Sequence, residues 1–219
     1  MKNEILKYIK LFSGFFFSSL GIVLVIKSNL GFSPWNVLHQ GISIVGNITI
    51  GQASILVGIL VITLDIFLGE QIGSGSIFNT IFIGLFIDLI LFSNLIPLSH
   101  NPLIGIPMLF MGLFTLSIGC YLYMSTGLGC GPRDALMVAF TKKTNFSVQF
   151  IRSTLEITVL VIGYFLGGYV GVGTLLKAIF TGTFIQYVFK IFHFDVKSVT
   201  HRNIKDEINL SEKKILLRL

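Results

Sequence analysis

The chain has 219 residues, of which 53% are hydrophobic and only 12% are charged. Soluble domains carry about 25% charged residues, so this composition excludes an ordinary water-soluble domain and predicts an all-α membrane protein. The net charge of +6 does not indicate nucleic-acid binding. The basic residues lie at the ends of apolar segments and in the C-terminal tail, where they set membrane orientation.

Apolar segments of about 20 residues, the length that crosses a bilayer as a helix, recur along the chain. Every break between them carries Gly, Pro, Asn or Ser, which are typical of turns and helix ends. We therefore expect about six transmembrane helices. They are predicted at residues 8–27, 51–68, 75–98, 103–125, 150–168 and 173–192.

Part of the sequence occurs twice, at a fixed offset of 98 residues and without a gap. The repeat divides the chain into a first half (1–98), a second half (99–192) and a basic tail (193–219). The recurring motifs are Leu30-Gly31-Phe32-Ser33-Pro34 with Leu128-Gly129-Cys130-Gly131-Pro132, Phe67-Leu68-Gly69 with Phe165-Leu166-Gly167, and Gly73-Ser74-Gly75 with Gly171-Val172-Gly173.

The distribution of Lys and Arg predicts the orientation of both halves. With six spans, every Lys and Arg except Lys27 and Lys177 falls on one side of the membrane. The positive-inside rule makes that side cytoplasmic, together with both termini and the basic tail. Each half contains three spans, an odd number, so the second half is expected to be inverted relative to the first.

Two short segments, 34–46 and 132–144, permit a different topology. If both crossed the membrane, each half would have four helices and the repeats would be parallel. Each segment has about 13 residues, which is short for a crossing. Helices that enter the membrane partway or lie at its surface fit better, and the sequence does not choose between these forms.

Both short segments begin with a proline-containing turn, and we call Ser33–Asn36 and Gly131–Asp134 the two elbows. Proline is favoured in the first turn of a helix, so each elbow predicts a helix start. A helix N-terminus has unpaired N–H groups and a partial positive charge, which suit an anion. Alternatively, the elbows only end one span and redirect the chain.

The two elbows differ in their polar residues. Trp35 corresponds to Arg133 and Asn36 to Asp134, while His39 corresponds to an apolar residue. We interpret these five residues as candidates for lining or gating a solute site. The alternatives are that Trp35 is an interfacial anchor and that Arg133 and Asp134 form a cytoplasmic charge pair.

Ionisable residues inside predicted spans are costly and often mark a pathway. Asp65 has no cation within its own span, so proton or cation coupling through Asp65 or Glu156 is one hypothesis. Arg152 and Glu156 are four residues apart and can form an ion pair on one helix, which would make them a structural clasp instead. Lys177 could reach the interface or pair with Asp65.

The motifs Gly31-Phe32-Ser33-Pro34-Trp35-Asn36-Val37-Leu38-His39, Thr49-Ile50-Gly51, Leu68-Gly69 and Gly73-Ser74-Gly75 resemble the YczE/YitT-like family of bacterial integral membrane proteins. The resemblance covers about residues 8–192 and implies a multi-span protein of the bacterial inner membrane. It implies no substrate. The family's usual Asp after the Pro-Trp pair is Asn36 here, which weakens a charged role at that position.

These observations favour a small secondary transporter or exporter of an unidentified small solute. A second hypothesis is a non-transporting membrane protein that stabilises or regulates a partner, and a third is a passive channel. We expect no enzymatic activity, because no nucleophile-base pair or metal-ligand set is apparent, and no cofactor. The expected partners are the lipid bilayer and the solute, while a homo-oligomer or a membrane partner stays open.

Overall fold

A computed structural model describes residues 2–70, 72–129, 131–146 and 148–194. Most of the predicted tail, 195–219, lies outside these residues. The described part of the chain forms eight α-helices and contains no β-strand. In chain order they are α1 (Lys2–Lys27), α2 (Pro34–Gly46), α3 (Ile50–Phe67), α4 (Ser74–Phe92), α5 (Pro102–Met124), α6 (Pro132–Lys143), α7 (Val148–Phe165) and α8 (Val172–Ile191).

Within the described residues, five helices (α1, α3, α4, α5 and α8) are long and apolar enough to cross a membrane. The predicted all-α membrane class is therefore confirmed. Helix α7 coincides with the remaining predicted span and carries Arg152 and Glu156. Helix α4 is shorter than the predicted 75–98 because it ends at Phe92, and Asn94 then adopts a left-handed backbone conformation with φ 52°.

Helices α1 and α5 cross with their backbones in contact. A Cβ on Gly14 would lie 2.6 Å from the Tyr123 nitrogen, and one on Gly21 would lie 2.5 Å from the Leu116 nitrogen. The contacts run in opposite directions along the two helices, so the helices are antiparallel. Small residues permit this approach, and we call the contact the glycine seam.

The helices form two groups. The α1 group consists of α1, α4, α5 and α8: α4 packs on α1, and α8 packs on α5. The α2 group consists of α2, α3, α6 and α7, which share one apolar cluster. The two groups meet along α3 and α4. The shared cluster contains Trp35, Leu38, Val57, Val61, Leu136 and Val159.

Backbone hydrogen bonds tie a loop of each half to a helix start in the other half. The Gly75 N–H donates to the Leu128 carbonyl at 2.8 Å, and the Gly173 N–H donates to the Leu30 carbonyl at 2.5 Å. Gly75 corresponds to Gly173 and Leu128 to Leu30 through the offset of 98 residues, so the two hydrogen bonds join corresponding positions. The glycine seam behaves in the same way, because its Gly14–Gly119 contact corresponds to its Gly21–Gly112 contact.

Candidate functional site

A cavity of about 600 Å³ lies between the α1 group and the α2 group. All eight helices contribute to its lining. The starts of α2 and α6 both border it, including both elbows in full. One lining residue from each helix, in chain order, is Ser18, Trp35, Ser54, Asn79, Leu116, Arg133, Glu156 and Lys177.

Each elbow forms a helix start, as the sequence predicted. Pro34 begins α2 and Pro132 begins α6, and the residues before them are extended, with ψ 157° at Ser33 and 147° at Gly131. Neither cap residue gives its helix a side-chain hydrogen bond. The first N–H groups of an α-helix have no partner within the helix, so both elbows bring polar backbone to the cavity.

Trp35 and Arg133, which correspond through the repeat, are in direct contact. The Arg133 guanidinium carbon lies 4.6 Å from the centre of the Trp35 ring, within the range of a cation–π interaction. One guanidinium nitrogen of Arg133 lies 3.3 Å from Nε2 of His39. A guanidinium can only donate, so Nε2 accepts. His39 is 1% exposed and does not line the cavity itself. Its hydrogen bond positions the Arg133 guanidinium.

Lys177 is a site residue whose role the sequence did not reveal. It is only 6% exposed and lines the cavity, so it does not extend to the membrane interface. No carboxylate of the described residues lies within 4.0 Å of its ammonium group, so it is not paired with Asp65. In the sequence, Lys177 stands out as the single charged residue in the first four turns of α8.

The Asn36 amide and the Ser18 hydroxyl are further polar groups at the cavity. Each residue is 3% exposed. Asn36 Nδ2 and Ser18 Oγ have no hydrogen-bond partner among the described residues. Burying a polar group without a partner is costly, and both residues line the cavity. Both atoms are themselves fully buried, so a ligand in the cavity could satisfy them only if these side chains turned towards it.

Arg152 and Glu156 lie at one end of the cavity. Their side chains form the predicted ion pair on α7, with Nε of Arg152 3.4 Å from Oε1 of Glu156. Both residues line the cavity, and both side chains are partly exposed. The cavity therefore extends between α7 and α8 on the side of the molecule where α7 begins.

Asp65 lies outside the cavity lining. It is fully buried, and neither of its carboxyl oxygens has a hydrogen-bond partner among the described residues. Of the eight candidate residues, the structure brings Trp35, Asn36, Arg133, Asp134, Arg152 and Glu156 to one cavity. His39 contacts Arg133 but does not line the cavity, and Asp65 lies outside the lining.

The charges and hydrogen-bond donors at this cavity are suited to binding and releasing a polar solute. The described residues contain no group of three or more His, Cys, Asp or Glu side chains placed to hold a metal ion. The lining includes three cationic side chains, Arg133, Arg152 and Lys177, and two carboxylates, Asp134 and Glu156. The first turns of α2 and α6 add partial positive charge.

Comparison with known proteins agrees with the resemblance found in the sequence. The chain is 34% identical to the uncharacterized membrane protein YczE of Bacillus subtilis over 190 residues, 85% of this chain and 87% of that protein. It is 37% identical over 174 residues to an uncharacterized protein of Haemophilus influenzae, covering 78% of each chain. It is 30% identical over 186 residues to the uncharacterized protein YyaS of Bacillus subtilis, covering 83% of this chain and 91% of that protein.

No solved structure matches the chain. Residues 5–190 match a family described as a family of unknown function, DUF6198. This match includes both elbows and all the candidate site residues. The chain therefore belongs to the DUF6198 family and is a YczE-like membrane protein.

Proposed function

We propose that this protein is a small secondary transporter or exporter that moves a small solute through the cavity between its two helix groups. The observation that carries the proposal is that two short helices, one from each half, begin at the same cavity. Inverted-repeat transporters commonly bind solutes near the bilayer midplane, where short helices begin. The proposal includes no enzymatic activity.

The internal contacts support an inverted repeat of three spans in each half. Contacts in the glycine seam are exchanged by the offset of 98 residues, as are the Gly75–Leu128 and Gly173–Leu30 hydrogen bonds. A two-fold axis produces such reciprocal contacts. Trp35 and Arg133 touch each other, which is expected of corresponding residues close to that axis.

The charge distribution supports a location in the bacterial inner membrane with both termini in the cytoplasm. With six spans, the side where α1 begins would carry nearly all the Lys and Arg residues of the sequence. The cavity extends towards that side between α7 and α8. In this arrangement the solute site is open towards the cytoplasm.

Helix packing supports a change between two states. Gly58, Thr80 and the corresponding Glu156 and Ala178 all border the cavity. A Cβ on Gly58 would lie 2.4 Å from the Thr80 side chain, whereas a Cβ on Gly182 of α8 would meet no neighbouring helix within 4 Å. A second state would follow if α7 closed on α8 while α3 separated from α4. The same site would then open to the other side of the membrane, as alternating access requires.

Asp65 is the proposed coupling residue. Its buried carboxyl group has no partner among the described residues, and an isolated charge there would be costly. Binding a proton or a cation would remove that cost. The coupling would then act through the packing of α3, because Asp65 itself does not line the cavity.

A cross-linking experiment tests whether the two states exist. In a protein carrying Cys120→Ser and Cys130→Ser, the pair Glu156→Cys and Ala178→Cys should form a disulfide under mild oxidation. The reason is that closure would bring α7 and α8 as near as α3 and α4 are now. The control pair, Ile157→Cys and Ile179→Cys, lies at exposed positions on the same helices and should not cross-link.

Failure of the 156–178 pair to cross-link in membranes would contradict alternating access and favour a static accessory protein. A channel would allow flux that does not saturate with solute concentration. Saturable flux in reconstituted vesicles that depends on pH, and loses that dependence with Asp65→Asn, is the expected transporter result. Unchanged pH dependence would remove the coupling role of Asp65 only.

A further inference from the structure

The cavity carries more positive than negative charge at its centre. Arg152 is paired with Glu156 at one end, which leaves Arg133, Lys177 and Asp134 as the remaining charged residues in the lining. The starts of α2 and α6 add partial positive charge beside them. A ligand that balances this site must therefore carry negative charge.

Lys177 is the strongest indication of an anionic ligand. Its side chain is almost entirely buried, and no described carboxylate lies within 4.0 Å of it. A mostly buried ammonium group without a carboxylate partner is costly at membrane depth. Such groups usually mark a pathway or a binding site, and this one borders an open cavity.

The uncharged polar groups around the cavity can donate hydrogen bonds. Nδ2 of Asn36 is a donor with no partner, and the Ser18 hydroxyl can also donate. Arg133 is held by Trp35 and His39, so its planar guanidinium keeps a fixed orientation. Planar, oriented donors match the oxygens of a carboxylate or a phosphate group.

We propose that the cavity binds an oxyanion, a carboxylate or a phosphate group, between Arg133, Lys177 and Asn36. The proposal deepens the transport function and rests on it for the role of this anion as cargo. The anion could belong to a free solute or to the headgroup of a lipid that enters between α7 and α8. The two sources share the same chemistry at the site.

The protein supplies its own reporter for this binding. Trp35 is the single tryptophan of the chain, and it lies under Arg133 at the cavity. Its fluorescence should therefore respond to an anion that contacts Arg133. We would titrate the full-length protein in detergent with sodium acetate and with sodium phosphate, using sodium chloride at matched ionic strength as the reference.

The expected result is a saturable fluorescence change with acetate or phosphate that chloride does not reproduce. Lys177→Gln should raise the apparent Kd about tenfold, the size of a lost charge-assisted hydrogen bond. Lys27→Gln, at the end of α1 and away from the cavity lining, is the matched control and should leave the Kd unchanged.

Two further variants keep the test decisive if Lys177→Gln does not fold. Lys177→Arg retains the charge and should retain saturable binding. Asn36→Asp has nearly the same shape but replaces a donor with a negative charge, so it should weaken anion binding at least as strongly as Lys177→Gln. An unchanged or tighter Kd in Asn36→Asp would overturn the proposal.

Lipid nanodiscs distinguish the two sources of the anion. A fluorescence change in phosphatidylglycerol nanodiscs but not in nanodiscs of an uncharged glycolipid, which has no phosphate group, with no response to acetate or phosphate in detergent, assigns the site to a lipid headgroup. No specific change with any probe would overturn the oxyanion site. Anion binding without the 156–178 cross-link would support the oxyanion site and contradict transport. The cross-link without anion binding would support transport and contradict the oxyanion site.

Discussion

The α3–α4 pair and the α7–α8 pair correspond through the repeat, yet the first is closed and the second is open. In the closed pair, Gly58 packs against Thr80, and Gly84 packs against the Gly51 carbonyl. In the open pair, a Cβ on Gly182 would meet no described atom within 4 Å outside the adjacent part of its own helix. The corresponding helices therefore use different residues to reach different separations.

Polar groups reinforce this difference. The Asp88 carboxylate accepts hydrogen bonds from the Thr49 hydroxyl and from the Gly51 N–H, the latter at 2.9 Å, and so joins α4 to the start of α3. Its counterpart Gln186 lines the cavity. The closed pair is thus held by a carboxylate at a helix N-terminus, a favourable position for negative charge.

The largest expected effect comes from filling the closed pair. Gly84→Leu should destabilise the protein by about 2 kcal/mol or more, because its Cβ would lie 2.6 Å from the Gly51 carbonyl oxygen. Thermal unfolding in detergent would show a lowered Tm. Gly182→Leu, the matched variant in the open pair, should leave Tm nearly unchanged, and an equal loss in both variants would contradict the comparison.

Converting the open pair to the residues of the closed pair should narrow the cavity. Arg152→Ser with Glu156→Gly introduces the counterparts Ser54 and Gly58 and removes two large side chains from the α7 surface. Labelling of Thr181→Cys by a water-soluble maleimide, in the protein without native cysteines, should then slow.

The control for labelling is Ile179→Cys, on the same helix at an exposed position that we expect to face lipid. It should resist the reagent in both backgrounds. Thr181→Cys borders the cavity and should react before the conversion. Equal reactivity at Thr181→Cys before and after conversion would show that Arg152 and Glu156 do not hold the pair apart.

Removing the Asp88 charge should have a moderate effect. Asp88→Asn weakens the bonds to Thr49 and Gly51 and should cost about 1 kcal/mol of stability. Gln186→Asn, a one-carbon shortening at the corresponding position, should cost less. Denaturation midpoints in detergent would give the loss of stability in each variant. A larger loss in Gln186→Asn than in Asp88→Asn would contradict the conclusion that α3 and α4 are the closed pair.

The smallest expected effect concerns the ion pair between Lys142 and Glu70, with a nitrogen–oxygen distance of 2.8 Å. The lysine side chain is 64% exposed and the glutamate side chain 14% exposed, so solvent screens the pair from the lysine side, and we expect it to contribute about 1 kcal/mol or less. Lys142→Met should therefore change Tm only slightly in low salt and not at all in high salt. A large loss independent of salt would indicate that Lys142 acts by packing instead.

The sequence predicted the helices and both elbows, because hydropathy and proline placement are local signals. It also predicted the ion pair of Arg152 and Glu156, since their spacing alone puts them on one turn. The contact between Trp35 and Arg133 depends on how the two halves meet. The repeat established their correspondence but not their proximity.

Two intramembrane charges show the limit of such reasoning. The spacing of Ser54, Gly58 and Asp65 puts all three on one face of α3, but the cavity ends before it reaches Asp65. A lone lysine in an apolar helix usually extends to the interface, whereas Lys177 is buried among packed helices. Only tertiary packing decides which part of a helical face borders open space.

The glycine seam limits how this molecule can move. The backbones of α1 and α5 touch at Gly14 and again at Gly21. The two helices cannot slide past each other without steric clashes, so they form a rigid pair. In the alternating access that we propose, the α2 group would therefore move against this rigid pair. Bulky substitutions in the seam would then block the proposed change of state without altering any residue of the cavity.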